Sequence, residues 1–190
     1  MLESLVEIDQ DILRWVNGFW IGKFQFFWLF VTRIENWLLL YLFFFYLLFR
    51  KFQKPVNYIA LLMLPLLVFV TLSLTNLVKN TVERLRPYND PLLRDSIQVL
   101  QEPESFSFWS GHSAVSFAVT TFIILALRTK AMTKWVLLFY LWPVIFALSR
   151  VFIGVHYPGD IVVGMLVGFL LGWGCFMLFS KIEKRLQHSA

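Results

Sequence analysis

Four stretches without a single Asp, Glu, Lys or Arg, residues 55–78, 105–127, 135–149 and 161–180, decide the solvent in which this chain folds. Each approaches or exceeds the ~20 apolar residues that cross a bilayer core. With 58% hydrophobic and only 15% charged residues, the remainder cannot cover those runs with a polar surface. The chain reads as an all-α integral membrane helical bundle. A fifth span is expected at 36–49, which is short and must extend back through Glu35 and Arg33 towards Phe24. A sixth would need 12–31 to cross as well, against Arg14, Asn17, Lys23 and Gln25.

A net charge of +5 would point a soluble protein towards nucleic acid, but here the placement of the charges matters more than their sum. Arg50, Lys51 and Lys54, then Arg128, Lys130 and Lys134, then Lys181, Lys184 and Arg185 follow alternate spans. The positive-inside rule puts all three clusters in the cytoplasm and turns 79–104 and 149–160 outward. No nucleic-acid partner is expected; the partners are membrane lipids, and the plan suits a bacterial inner membrane with its site facing the periplasm or the outside. With five spans and a cytoplasmic C-terminus, the N-terminus is outside. There Leu5, Ile8, Ile12 and Trp15 recur at helical spacing among Glu3, Glu7, Asp9 and Asp11, which predicts an amphipathic helix over 1–23 lying on the outer interface. Trp20, Trp28, Trp109 and Trp135 fall near predicted span ends, as interfacial belts do. Gly164, Gly168 and Gly172 form a small-residue stripe, better suited to packing inside the bundle than to dimerisation. The lone Cys175 excludes a disulfide within the chain. Nothing divides the chain, so 1–190 reads as one membrane-embedded domain.

Three polar clusters interrupt this apolar plan. Residues 149–160 place Arg150, His156 and Asp160 between two apolar runs, with Pro158-Gly159 as a turn. An Asp four residues after a His can meet its Nδ1–H across such a turn and raise the basicity of Nε2, while a nearby Arg holds an anion. At the end of the second span, Lys79 and Arg86 would share a face if the helix continues, with Asn76 beside Lys79, until Pro87 stops it. At the head of the third span, Ser110 is a good N-cap, Gly111 permits close backbone approach, and His112 sits in the first turn beside any anion bound by the free amides. Taken singly, each cluster has a bland reading: a chance ion pair, snorkelling cations, a capping histidine. Together, on one side of the membrane, they read as a phosphate site.

The three clusters resemble the type 2 phosphatidic acid phosphatases, integral-membrane lipid phosphatases that share their site with vanadium haloperoxidases. The family pattern is K-x-x-x-x-x-x-R-P, P-S-G-H and S-R-x-x-x-x-x-H-x-x-x-D. This chain carries it at Lys79 to Pro87, Trp109 to His112 and Ser149 to Asp160, within a motif-bearing core of about 70–180. One departure stands out: Trp109 replaces the usual proline, which would put a large side chain at the mouth of the site. The resemblance implies His156 as a nucleophile forming a phosphohistidine, Asp160 as its orienting carboxylate and His112 as general acid, then base. Lys79, Arg86, Arg150, the Ser110 hydroxyl and the Gly111 amide would bind the phosphate oxygens. No metal or other cofactor is implied, and no carboxylate cluster that would hold Mg²⁺ is evident. The substrate would be a phosphorylated lipid: undecaprenyl diphosphate, phosphatidylglycerol phosphate, phosphatidic acid or a lipid A phosphate. A transporter or channel for an anion competes, as does a vanadate-dependent oxidase. The first is disfavoured because the ionisable motif residues gather at one membrane face, the second because its relatives are soluble.

The charge-based topology has a direct check. In a Cys175→Ser background, a cysteine at Asn89 should react with an impermeant maleimide in intact spheroplasts, and one at Thr129 should not. Reversed labelling would invert the orientation.

Overall fold

The computed structural model describes residues 2–128 and 133–188, so Lys130 of the second basic cluster lies outside the described residues. The chain is helical: α1 (Leu2–Thr32), α2 (Leu38–Lys51), α3 (Val56–Val82), α4 (Gly111–Leu127), α5 (Thr133–Val136), α6 (Leu141–Phe152) and α7 (Pro158–His188). Single 3₁₀ turns at Ile34–Trp37, Pro87–Asn89 and Leu137–Tyr140 join or follow them. Three segments, Val56–Asn89, Lys134–Phe152 and Pro158–His188, are long and apolar enough to cross a membrane. A fourth counts if Phe24–Thr32 and Ile34–Lys51, bent by 74° at their junction, form one broken span. That bend falls where Arg33 and Glu35 interrupt the apolar pattern. The protein is a multi-pass membrane protein.

Its centre is α4. This helix is apolar on every side, and such a helix must be enclosed. It contacts α2, α3, α6 and α7, and nearly all its side chains are buried. Within the uncharged run 105–127, 17 residues are helical, at the short end of what crosses a bilayer core. The Ser110 hydroxyl accepts from the Ser113 amide at 3.3 Å and starts the helix there, leaving 105–110 irregular. One apolar core, including Phe44, Leu48, Leu67, Phe122 and Phe179, fills the space among α2, α3, α4 and α7. A second, with Leu13, Leu93, Phe117, Val151 and Tyr157, lies under α1. The outer surface is apolar too: Leu39 is 81% and Leu62 69% exposed, as expected where lipid is the solvent.

The glycine stripe of α7 is used within the chain. A Cβ on Gly164, Gly168 or Gly172 would lie 2.7, 2.2 and 2.3 Å from the carbonyl oxygens of Ser110, Ala114 and Ala118 respectively. The two backbones therefore run in contact along α4, and the heads of α4 and α7 meet.

The N-terminal segment differs from the expected interfacial helix. It is helical, with a break at Phe24, and one side packs on the bundle: Gln10, Leu13 and Asn17 are buried, while Glu7 and Asp11 are exposed. Asn17 donates to the Gln98 and Phe152 carbonyls at 2.8 and 3.1 Å and accepts from the Gln98 amide at 2.7 Å. Leu5, Ile8, Ile12 and Trp15 are all exposed on the opposite side. Asn17 anchors α1 because the loop backbone it covers needs partners that lipid cannot supply.

The glycine contact yields a stability test. Gly168→Leu must push α7 off the α4 backbone and should destabilise the fold by about 1–3 kcal/mol or more. The measurement is the thermal midpoint in detergent, where Gly174→Leu, at a site with open space, should change little.

Candidate active site

Each sequence motif reaches the site by a local rule. Helix α6 ends in a tight reversal: Gly154 adopts a φ of 76°, and the Val155 and His156 amides both fold back onto the Arg150 carbonyl at 3.1 and 3.3 Å. Only glycine fits there, because a Cβ would lie 2.6 Å from the Gln98 carbonyl oxygen. Pro158 then opens α7, a position that needs no amide hydrogen. Asp160 sits in the first turn and accepts from the Tyr157 amide at 3.2 Å, closing the helix start as a capping carboxylate.

The reversal buries His156 against Asp160. Nδ1 lies 3.3 Å from Asp160 Oδ2, and Nε2 lies 3.3 Å from Nη1 of Arg86. A guanidinium can only donate, so Nε2 is the acceptor and the ring proton sits on Nδ1, facing the carboxylate. The imidazole is neutral with its Nε2 lone pair exposed to the basic side chains. Burial pushes its pKa down from 6.5 to about 3; Asp160 opposes that shift, and Arg86 and Arg150 add to it.

The phosphate-ready residues expected from sequence converge, but not on one helix. Helix α3 stops at Val82, where Glu83 takes a left-handed φ of 51° and its amide closes on the Lys79 carbonyl at 3.0 Å. Arg86 therefore lies beyond the helix in an extended segment, and Pro87 is not what ends α3. Arg86 donates to the Ser105 carbonyl at 2.5 Å, the Ser105 hydroxyl at 2.9 Å and the Val155 carbonyl at 2.9 Å. Lys79 is buried and donates to the Phe106 carbonyl, while Asn76 is exposed and takes no part. Arg150 is buried, with Nη1 on the Thr32 hydroxyl at 2.5 Å and Gln101 Oε1 at 3.2 Å, and its Nε has no partner. His112 is hydrogen-bonded to the Thr32 backbone and stacks on Phe146 at 4.9 Å. Ser110 is fully buried, and its amide donates to the Asp160 carbonyl at 3.1 Å, which ties the second motif to the third. Gly111 lies 3.4 Å, measured from a would-be Cβ, from the Thr75 methyl. Arg86, Arg150, His112 and His156 lie within electrostatic reach of one another, and Lys79 within reach of Arg86 and Arg150.

Trp109 is not at the mouth of the site. It is buried, and its Nε1 donates to the Thr75 hydroxyl of α3 at 2.9 Å. Trp28 likewise stacks on Phe152 at 3.9 Å rather than standing free at an interface, whereas Trp135 is 70% exposed.

The order of these three motifs and their convergence match a known superfamily. The PAP2 superfamily profile covers residues 60–184, well over half of the chain. The chain belongs to the PAP2 superfamily. It is 29% identical to a lipid A 4′-phosphatase of Bacteroides thetaiotaomicron over 98% of this chain and 84% of that protein. It is 36% identical to a phosphatidylglycerophosphatase B of Bacillus subtilis over 66% of this chain and 59% of that protein. The fold resembles a crystal structure of a transmembrane PAP2-type phosphatidylglycerolphosphate phosphatase from Bacillus subtilis, with a TM-score of 0.67 at 22% identity over 96% of this chain and 87% of that one. This PAP2 protein is a membrane lipid phosphatase, a phosphoric monoester hydrolase.

Several polar residues around the PAP2 motifs were not singled out from sequence. Ser107 donates to Asp160 Oδ2 at 2.5 Å and lies 3.3 Å from His156 Nδ1. Arg84 donates to Asp160 Oδ1 at 2.7 Å and to Asp9 at 2.8 Å. Thr32 serves both Arg150 and His112. Ser107 and Thr32 carry no sequence signal, since isolated hydroxyls in apolar surroundings are common. Arg84, two residues before Arg86, could have been flagged as a further cation of the second motif.

Buried neutral His156 makes stability pH-dependent. The unfolded imidazole takes a proton as pH falls through 6.5 and the folded one does not until about 3, so stability should drop steadily below pH 6.5. His156→Gln should flatten that decline, read as thermal midpoints of both proteins at pH 7.5 and pH 5 in detergent.

Proposed function

We propose that the protein removes a phosphate monoester from a lipid A-type glycolipid through a phosphohistidine on His156. The observation that carries the reaction is the His156 ring itself. Its Nδ1–H faces a buried carboxylate and its Nε2 lone pair faces the Arg86 guanidinium, with Arg150 within electrostatic range, the arrangement of a nucleophile beside an anion site. Nε2 attacks phosphorus in line; the Nε2–P bond forms as the P–O bond to the lipid breaks. His112 delivers a proton to the leaving oxygen. A water then loses its proton to His112 and attacks phosphorus, the N–P bond breaks, and inorganic phosphate leaves.

Lys79, Arg86 and Arg150 hold the nonbridging oxygens. Arg86 exchanges Nε2 for phosphate, and the unpartnered Nε of Arg150 supplies a further donor. The Ser110 hydroxyl and Gly111 amide complete the cradle at the head of α4, where the helix dipole favours negative charge. Three cations supply the charge neutralisation that a divalent metal gives other phosphotransfer enzymes, so the reaction runs without one. The lipid A-type substrate is favoured because sequence similarity to a lipid A 4′-phosphatase extends over 98% of this chain, whereas the sequence match to a phosphatidylglycerophosphatase B covers 66%. The site faces the periplasmic side, on the charge distribution of the loops.

Two measurements on purified enzyme test this reading. Phosphate release from lipid A should exceed that from phosphatidylglycerol phosphate, phosphatidic acid and undecaprenyl diphosphate, and should persist in EDTA. Loss of turnover in EDTA, restored by Mg²⁺, would end the metal-free mechanism.

The two histidines should also fail differently. His156→Ala should form no phosphoenzyme and lose several orders of magnitude of activity on every substrate. His112→Ala should lose about 10²–10⁴-fold on a lipid monophosphate and less on p-nitrophenyl phosphate, whose leaving group needs no proton.

A further inference from the structure

Asp160 is gripped from two sides, and only one belongs to the reacting pair. Its Oδ2 receives the His156 ring, the Ser107 hydroxyl and the Tyr157 amide. Its Oδ1 receives Nη1 of Arg84 at 2.7 Å. The other arm of the same guanidinium holds Asp9 of α1 at 2.8 Å, and the second oxygen of Asp9 accepts from the Gly159 amide at 2.7 Å, one residue before Asp160. Arg84 also lies over the Tyr157 ring, 3.7 Å from its centroid, and its carbonyl accepts from the Ser107 amide at 2.9 Å. The Tyr157 hydroxyl and Gln10 of α1 both donate to Asp90, at 3.0 and 3.2 Å, so α1 touches both sides of this assembly.

We propose that Arg84 and Asp9 form a positioning clamp for the Asp160 carboxylate, which makes α1 a working part of the active site. The Asp160 carboxylate can turn about its Cα–Cβ and Cβ–Cγ bonds, and a donor held on Oδ1 restricts that rotation while Oδ2 serves the imidazole. The planar guanidinium fork fixes that oxygen and ties it to a second carboxylate whose own place is set by the α7 backbone. Arg84 is not a fourth phosphate-binding cation, because both of its terminal nitrogens face carboxylates. The clamp rests on the reading of His156 as nucleophile and Asp160 as its orienting group.

The test uses the full-length enzyme in detergent, with p-nitrophenyl phosphate turnover and phosphoenzyme trapping. Arg84→Gln should lower kcat by about 10–100-fold, by analogy with the loss of outer-shell partners that orient metal-bound histidines. KM should stay within about twofold, because the phosphate ligands are intact. Arg84→Lys, which can hold one carboxylate, should fall between Arg84→Gln and the wild type. Asp9→Asn keeps its acceptor for Gly159 and should lose less than Arg84→Gln. The double variant should be no slower than Arg84→Gln alone, since the two residues act as one unit.

Unchanged kcat in Arg84→Gln, a raised KM at constant kcat, or additive losses in the double variant would each overturn the clamp. Should Arg84→Gln fail to fold by size exclusion, wild-type kcat in the isosteric Asp9→Asn would overturn it. His156→Ala in the same assay separates the two ideas. A phosphoenzyme in that variant sinks the nucleophile assignment, whereas a dead His156→Ala beside a fully active Arg84→Gln sinks the clamp alone.

Discussion

A single buried carboxylate organises the polar half of this molecule. Asp160 is fully enclosed, and an ionised carboxylate in such surroundings persists only when its oxygens are supplied with donors. Those donors come from separate parts of the chain: Arg84 beyond α3, Ser107 in the irregular segment before α4, and the His156 ring and Tyr157 amide between α6 and α7. No one of these segments could solvate the charge alone. Satisfying it brings the ends of three motifs together, so the group that orients the imidazole is also the group that assembles the loops around it.

The apolar half depends on a different constraint, the approach of α7 to α4. In a bilayer there is little hydrophobic gain in bringing two apolar helices together, and close backbone packing takes over. The three glycines that face the α4 carbonyls allow it. Because α4 begins at Ser110 and α7 at Pro158, this contact sets the two helix heads side by side. The Ser110 amide then reaches the Asp160 carbonyl, and His112 comes within electrostatic range of His156. Packing far from the polar groups thus determines their register.

Helix α1 joins these two halves. Its packed face mixes polar Asp9, Gln10 and Asn17 with apolar Leu13, while Leu5, Ile8, Ile12 and Trp15 face outwards, because the loops it covers offer backbone groups and its other side meets an apolar surround. Asp9, Gln10 and Asn17 are spaced along that inner face and bind the 90s loop, the end of α6 and the start of α7. The bend after Thr32 then delivers one residue to both Arg150 and His112. At the bend the Phe30 and Val31 carbonyls accept from the Asn36 amide side chain and the Trp37 ring at 2.7 and 2.8 Å, which satisfies backbone groups that the helix leaves free.

What the sequence determined by itself was whatever depends on local spacing and on solvent. Long uncharged runs dictated membrane helices; Ser110 announced a helix start; the four-residue interval from His156 to Asp160, with Pro158-Gly159 as a turn, placed a ring beside a carboxylate. Three ordered motifs pointed to the family. Only the tertiary structure decided that α3 ends at Glu83 and sends Arg86 out on an extended strand of chain, that Trp109 turns inwards to Thr75, and that α4 is a short enclosed helix. It alone brought Asp9 and Arg84 to Asp160, across 75 or more intervening positions. Such pairings leave no periodic trace, because a salt bridge between distant segments is set by how helices pack and not by the residues that neighbour it along the chain.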